Sequence, residues 1–261
     1  MLPCWWGVTL ANPQELNIKL FFLFALGALF MRSAGCVFND LIDKNIDKHV
    51  TRTKMRPLAS GELSSQKALL FFCLLCLGGL AVLLSLPIRC WPIGIIGLLL
   101  LAIYPFMKCI TYWPQVVLGF AFNLGVIFGA VAVLPYESIN WPATLCLYGA
   151  GIAWTVAYDT IYALQDIEDD LKIGVKSTAI RFGNHVKMAL YLSYGMMFAL
   201  ISIAGHLSNA REMYYAIIFS VALISFIILY PLDISKPSDC LKLFNANPYL
   251  GWMVWAALLA L

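Results

Sequence analysis

An all-α, polytopic membrane bundle is the fold class predicted for this 261-residue chain. Three observations predict it. The composition is 62% hydrophobic, against about 45–50% for soluble domains. Only 12% of the residues are charged. Apolar runs of roughly 20 residues, the length that crosses a bilayer as a helix, recur from end to end. No Ser/Gly-rich linker or break in composition interrupts them, so residues 1–261 read as one transmembrane domain.

Each element follows from its run and its punctuation. Residues 1–11 read as the tail of a first helix, because the chain opens inside an apolar stretch too short to span. Residues 17–39 form a second helix that ends on an acidic cluster. Residues 66–86 and 91–108 are parted by Pro87 and Pro92, and 114–134 lies between Pro114 and Pro135. Residues 141–164 open at Trp141-Pro142 and end on a second acidic cluster. Residues 184–205 and 212–231 follow, the latter closed by Pro231, and Pro248 opens a last segment, 248–261. Proline is tolerated at helix ends, where its missing N–H is not needed. Trp91, Trp113, Tyr136 and Trp141 fall where a membrane interface is expected. The expectation is nine transmembrane helices in the intact protein, with the first and last incomplete here.

Alternating these helices sorts the charges. One set of loops (40–67, 108–113, 165–187 and 232–247) carries nearly all the Lys and Arg; the other side has only Lys19, Arg89 and Arg211. That bias places the first set in the cytoplasm or matrix. The inner membrane of a bacterium, or alternatively of a mitochondrion, is the expected location. A net charge of +3 without a Lys/Arg tract argues against nucleic-acid binding. The eight cysteines lie mostly inside apolar runs. Cys73 and Cys76 have no second ligand pair, so they read as small helix residues rather than a metal site.

Both acidic clusters fall on the basic side. The first runs from Asn39 and Asp40 through Asp43 to Asp47; the second holds Asp159, Asp166, Glu168, Asp169 and Asp170. Together they take eight of the 14 carboxylates. A charged group at mid-bilayer costs about 2.5–3.5 kcal/mol on insertion scales, so acids gathered at helix ends imply a cationic occupant. Asp43/Asp47 and Asp166/Asp170 are each four apart and share a helix face, where like charges repel. A divalent cation reverses that sign. Mg²⁺ takes one or two carboxylates plus substrate phosphates, and two facing pairs could clamp a diphosphate. Arg52, Lys54, Arg56, Lys108, Lys172 and Lys176 lie on the same side to neutralise phosphate oxygens. Such an array would stabilise an allylic diphosphate as it departs.

These residues resemble the UbiA-type family of intramembrane prenyltransferases. The first cluster matches its N-D-x-x-D-x-x-x-D motif and the second its D-x-x-x-D motif. The strings Met31–Cys36, Arg56–Gly61, Tyr104–Lys108, Pro114–Gly119 and Ala157–Ile180 bring it nearest the 4-hydroxybenzoate polyprenyltransferase branch, which serves ubiquinone biosynthesis. The family's D-[RK]-P-I-G opening is absent, and Lys44 stands where Arg is usual. The resemblance implies a Mg²⁺-dependent transfer of a polyprenyl group from polyprenyl diphosphate to 4-hydroxybenzoate. It makes Asp43, Asp47, Asp166 and Asp170 the metal and diphosphate ligands. Asp40 and Asp159 become supporting acids. Tyr104 and Lys108 form a Y-x-x-x-K element for diphosphate, with Arg56 and Lys172 as further cations. Arg32 and Asn39, two helical turns apart, border the aromatic acceptor, and Arg32 is expected to take its carboxylate. A prenyltransferase with another acceptor is the alternative; a cation-coupled transporter, which would hold its acids near mid-membrane, is a remoter one.

Overall fold

The computed structural model describes residues 1–261, and the chain is helical without a strand. Nine helices of ten or more residues follow in order: α1 (Leu2–Ala11), α2 (Ile18–Asp47), α3 (Ser65–Leu84), α4 (Trp91–Ile110), α5 (Pro114–Val133), α6 (Trp141–Ala163), α7 (Val186–Leu207), α8 (Glu212–Leu229) and α9 (Pro237–Leu258). Short helical turns at Pro57–Ser60, Ile167–Ile173 and Thr178–Phe182 occupy the loops on the acidic side.

Local chemistry sets the starts. Asn17, Ser64 and Asn140 cap α2, α3 and α6 by accepting the N–H of Leu20, Lys67 and Ala143. Proline occupies the first turn of α1, α4, α5, α6 and α9. Six helical stretches are long and apolar enough to cross a membrane. Helix α6 is not among them: it is ringed by α1, α5, α7 and α9, and only Pro142 and Leu145 along it are exposed. It therefore has almost no lipid face to keep apolar.

Three boundaries differ from the sequence reading. Helix α2 does not stop at residue 39 but runs to Asp47, so the whole first cluster is helical. Helix α9 starts at Pro237 rather than Pro248, which lies inside it. The second cluster is not one continuous helix, because the chain turns at Leu164–Asp166 before Ile167–Ile173 begins.

Two cores hold the bundle. One joins α1, α6, α7, α8 and α9 around Trp6, Leu147, Met197 and Tyr214. The other joins α1, the start of α2, the start of α4 and the end of α5 around Val8, Phe24, Ile93 and Val131, at the end remote from the acids. Helices α1 and α5 meet backbone to backbone: a Cβ at Gly129 would overlap the Cys4 carbonyl and come within 2.7 Å of the Val8 nitrogen. This is the close packing expected of Gly125-x-x-x-Gly129. On the acidic half α2 is different. Beyond Phe24 its only buried residues are Ala34, Asp43 and Asp47, so carboxylates occupy positions that apolar side chains would fill in an ordinary core.

Candidate active site

The end of the bundle that carries both acidic motifs holds a cavity of about 180 Å³. Helix α2 contributes Asn39, Asp43, Ile46 and Asp47; α4 contributes Tyr104, Pro105 and Lys108; α6 contributes Asp159 and Tyr162. Asp166, Asp170 and Lys176 arrive from the loop after α6, and Arg52 and Arg56 from the loop after α2. The two acidic motifs, over a hundred residues apart in sequence, thus face one space.

Ion pairs and hydrogen bonds stitch them together. Lys108 pairs with Asp43 Oδ2, and the Asn39 amide donates to the same oxygen at 2.8 Å. Arg56 Nη1 reaches Asp40 at 2.8 Å and Asp47 at 3.0 Å. Arg52 crosses between the motifs: its Nε donates to Asp166 Oδ1 at 2.8 Å, its Nη2 pairs with Asp166 Oδ2, and its Nη1 donates to Tyr162 Oη at 2.6 Å. The neighbouring Thr51 N–H donates to Asp169 Oδ2 at 3.0 Å. One loop therefore clasps the other, and this clasp aligns the two clusters. The charge-assisted bonds from Asp166 raise the Arg52 guanidinium further above its ordinary value. The Thr51 N–H holds the Asp169 carboxyl below its usual range. Burial first, and then the charge of Asp166, push Asp170 up to about 6.

Several acid oxygens have no partner. Asp43 Oδ1 is buried and unbonded, although Asp43 is only 3% exposed. Neither Asp159 nor Asp170 forms an ion pair or a side-chain hydrogen bond, and both line the cavity. A buried oxygen left unmet is costly, and of these atoms Asp43 Oδ1 is the one that is fully buried; the carboxylates of Asp159 and Asp170 are half-buried. No three acids stand close enough to hold a metal ion unaided.

The structure does not bring every expected residue to the cavity. Lys172 is 72% exposed and turns to Asp169 at 3.4 Å, away from the lining; Lys176, four residues on, lines it instead. Asp40 stands behind the lining and acts through Arg56. Arg32 is exposed on α2, outside the cavity lining, with its guanidinium 5.4 Å over the Phe122 ring. The Asn123 Nδ2 is committed, donating to Gly119 O of its own helix and to Thr155 Oγ1 of α6. Gln115 and Tyr162 were not singled out in the sequence, although both lie within strings that carry the resemblance.

The UbiA prenyltransferase family profile matches residues 1–258. The chain belongs to the UbiA prenyltransferase family. The mitochondrial 4-hydroxybenzoate polyprenyltransferase of Drosophila melanogaster is 43% identical over 255 residues, which is 97% of this chain and 64% of that protein. The chain thus spans less than two thirds of that relative. The 4-hydroxybenzoate octaprenyltransferase of Legionella pneumophila (strain Paris) is 39% identical over 256 residues, 98% of this chain and 89% of that one. Among solved structures of the UbiA fold, the apo homologue from Aeropyrum pernix K1 superposes with a TM-score of 0.83 at 22% identity, covering 98% of this chain and 94% of that one. A UbiA homologue from Archaeoglobus fulgidus bound to GPP and Mg²⁺ gives 0.69 at 19% identity, with 98% and 96% covered.

Proposed function

We propose that this chain transfers a polyprenyl group from polyprenyl diphosphate to the ring carbon ortho to the hydroxyl of 4-hydroxybenzoate, releasing diphosphate, as a step toward ubiquinone. The observation that carries the reading is the convergence of Asp43, Asp47, Asp166 and Asp170 on one cavity with Lys108, Arg52 and Arg56. The names of the fly and Legionella relatives supply the donor and acceptor classes.

Mg²⁺ fits the donor set: the unbonded Asp43 Oδ1 and the unpaired Asp170 offer hard oxygens, and a wall on which no three acids meet at one point suits an ion that keeps phosphate and water ligands. The A. fulgidus homologue binds the same ion with a prenyl diphosphate. Asp43, Asp47, Asp166 and Asp170 would hold it. When bound, the ion would neutralise the diphosphate and ease its loss from the allylic carbon. Lys108, Arg52 and Arg56 release their carboxylates and donate to phosphate oxygens, supplying charge where the leaving group gathers it. Tyr104 offers a further hydroxyl from α4. Arg32 receives the carboxylate of the aromatic acid, and the carbon ortho to its phenol takes the allylic cation and loses a proton.

The test is a membrane assay with labelled 4-hydroxybenzoate and a prenyl diphosphate. Asp43→Ala and Asp166→Ala, inserted and folded normally, are expected to lose at least about 100-fold in turnover, the scale of removing one electrostatic stabiliser of a leaving group. Full activity in either variant would sink the proposal. Arg32→Leu is expected to raise KM for 4-hydroxybenzoate while sparing that for the prenyl diphosphate.

A further inference from the structure

Gln115 sits in the first turn of α5, only 4% exposed, and lines the cavity beside Lys176 and Ser177. A carboxamide has an accepting oxygen and a donating nitrogen, and which end faces which way must be read from its neighbours. Here the neighbour decides: the backbone N–H of Thr178 donates to Oε1 at 3.1 Å. A backbone N–H can meet only the oxygen, so the amide cannot be turned over without losing that bond.

The Thr178 side is itself held. The hydroxyls of Thr178 and Thr160 share a hydrogen bond of 2.6 Å. Two residues earlier, the Lys176 N–H donates to Lys108 O at 2.8 Å and Lys176 Nζ to Ile110 O at 3.1 Å. Gln115 Oε1 is therefore pinned against a fixed loop. Its Nε2 has no partner in the protein, and it is not among the side-chain atoms sealed from the cavity. It ignores the carboxylates around it, while Asn39, Arg52, Arg56 and Lys108 are all engaged with them.

We propose that the Gln115 amide nitrogen is a substrate donor, oriented by Thr178 to bond a phosphate oxygen of the prenyl diphosphate. The assignment rests on the function proposed above and adds a residue to it. A neutral donor suits this place because it bonds the diphosphate without competing with a metal ion for the acids.

Two substitutions separate this role from mere support of the loop. Gln115→Glu keeps an oxygen for the Thr178 N–H but presents an acceptor to the phosphate; Gln115→Leu removes both. Both are expected to raise KM for the prenyl diphosphate about tenfold or more, as loss of a hydrogen bond to a charged group does, and to leave KM for the aromatic acid unchanged. Wild-type KM in Gln115→Glu would reduce Gln115 to a support for Thr178, and wild-type KM in Gln115→Leu would remove it altogether; either overturns the proposal. Should neither variant fold, the intact protein answers. The chain has four glutamines, so ¹⁵N-glutamine labelling gives four side-chain amide signals, assigned by replacing Gln14, Gln66 and Gln165 singly. Magnesium pyrophosphate is expected to shift the Gln115 signal. Pyrophosphate binding that leaves it unmoved overturns this proposal alone; a wild-type protein that neither binds pyrophosphate nor turns over overturns the function as well.

Discussion

Single residues carry opposite burdens on the acidic half of α2. Asp43 is nearly buried and pairs with Lys108, whose side chain is 21% exposed. Removing one member of a buried pair strands the other's charge, at about 3–5 kcal/mol. Lys108→Met alone is therefore expected to lower the unfolding temperature in detergent markedly, and Lys108→Met with Asp43→Leu to recover at least half of the loss. Additive losses would show that the pair contributes nothing jointly. The sequence made Asp43 and Asp47 legible because a fixed spacing on one helix determines a shared face. It did not reveal Gln115, because its meaning comes from the Thr178 amide 63 positions away. Lys172 falls outside the lining for a related reason: charge and proximity in sequence do not say which face of the short helix Ile167–Ile173 meets the cavity, and Lys172 turns to Asp169.

Helices were the most legible level, since each of the nine apolar segments corresponds to one observed helix. The misplacements come from tertiary bonds. Pro248 reads as a helix start, yet the turn before it is secured by Asn247, whose Nδ2 donates to Leu243 O. Asn247 Oδ1 accepts from both Trp154 Nε1 and Tyr194 Oη at 2.9 Å, joining α9 to α6 and α7. Asn247→Leu would leave two buried donors unmet, each costing about 1–3 kcal/mol. A substantial drop in thermal midpoint is expected, with KM values little changed in the protein that remains folded; an unchanged midpoint would refute the role. At the α1–α5 crossing, Gly129→Leu is expected to be more damaging than Gly125→Ala, because the side chain has only the backbone of Cys4 and Val8 to displace. The break after α6 had no Pro or Gly to announce it. It is held by Arg52 and Thr51 from the other motif, a contact invisible within the second motif alone.

At the scale of the molecule, the excess of Lys and Arg in alternate loops was enough to predict that both acidic motifs share a membrane face. The opposite end has its own arrangement: Arg89 donates to the terminal carbonyls of α5, Val131 O at 2.6 Å and Ala132 O at 3.1 Å. Single cysteines placed at Lys54, Lys172 and Arg211 in a cysteine-free background test this orientation. The first two are expected to react with a membrane-impermeant thiol reagent from the same side, and the third only from the other. Labelling of Lys54 and Lys172 from opposite sides would separate the motifs and dismantle the site. The ion pairs lining the cavity have one more consequence. Five carboxylates and four cationic side chains share its wall, so the protein supplies its own counter-ions in a setting where unbalanced charge is expensive. On the function proposed above, arrival of a metal-bound diphosphate would amount to a change of partners: acids would pass from Lys and Arg to the metal, and Lys and Arg to the phosphate. Binding on such terms would bring little net charge into the low-dielectric end of the bundle, and the reverse swap would let the inorganic product go.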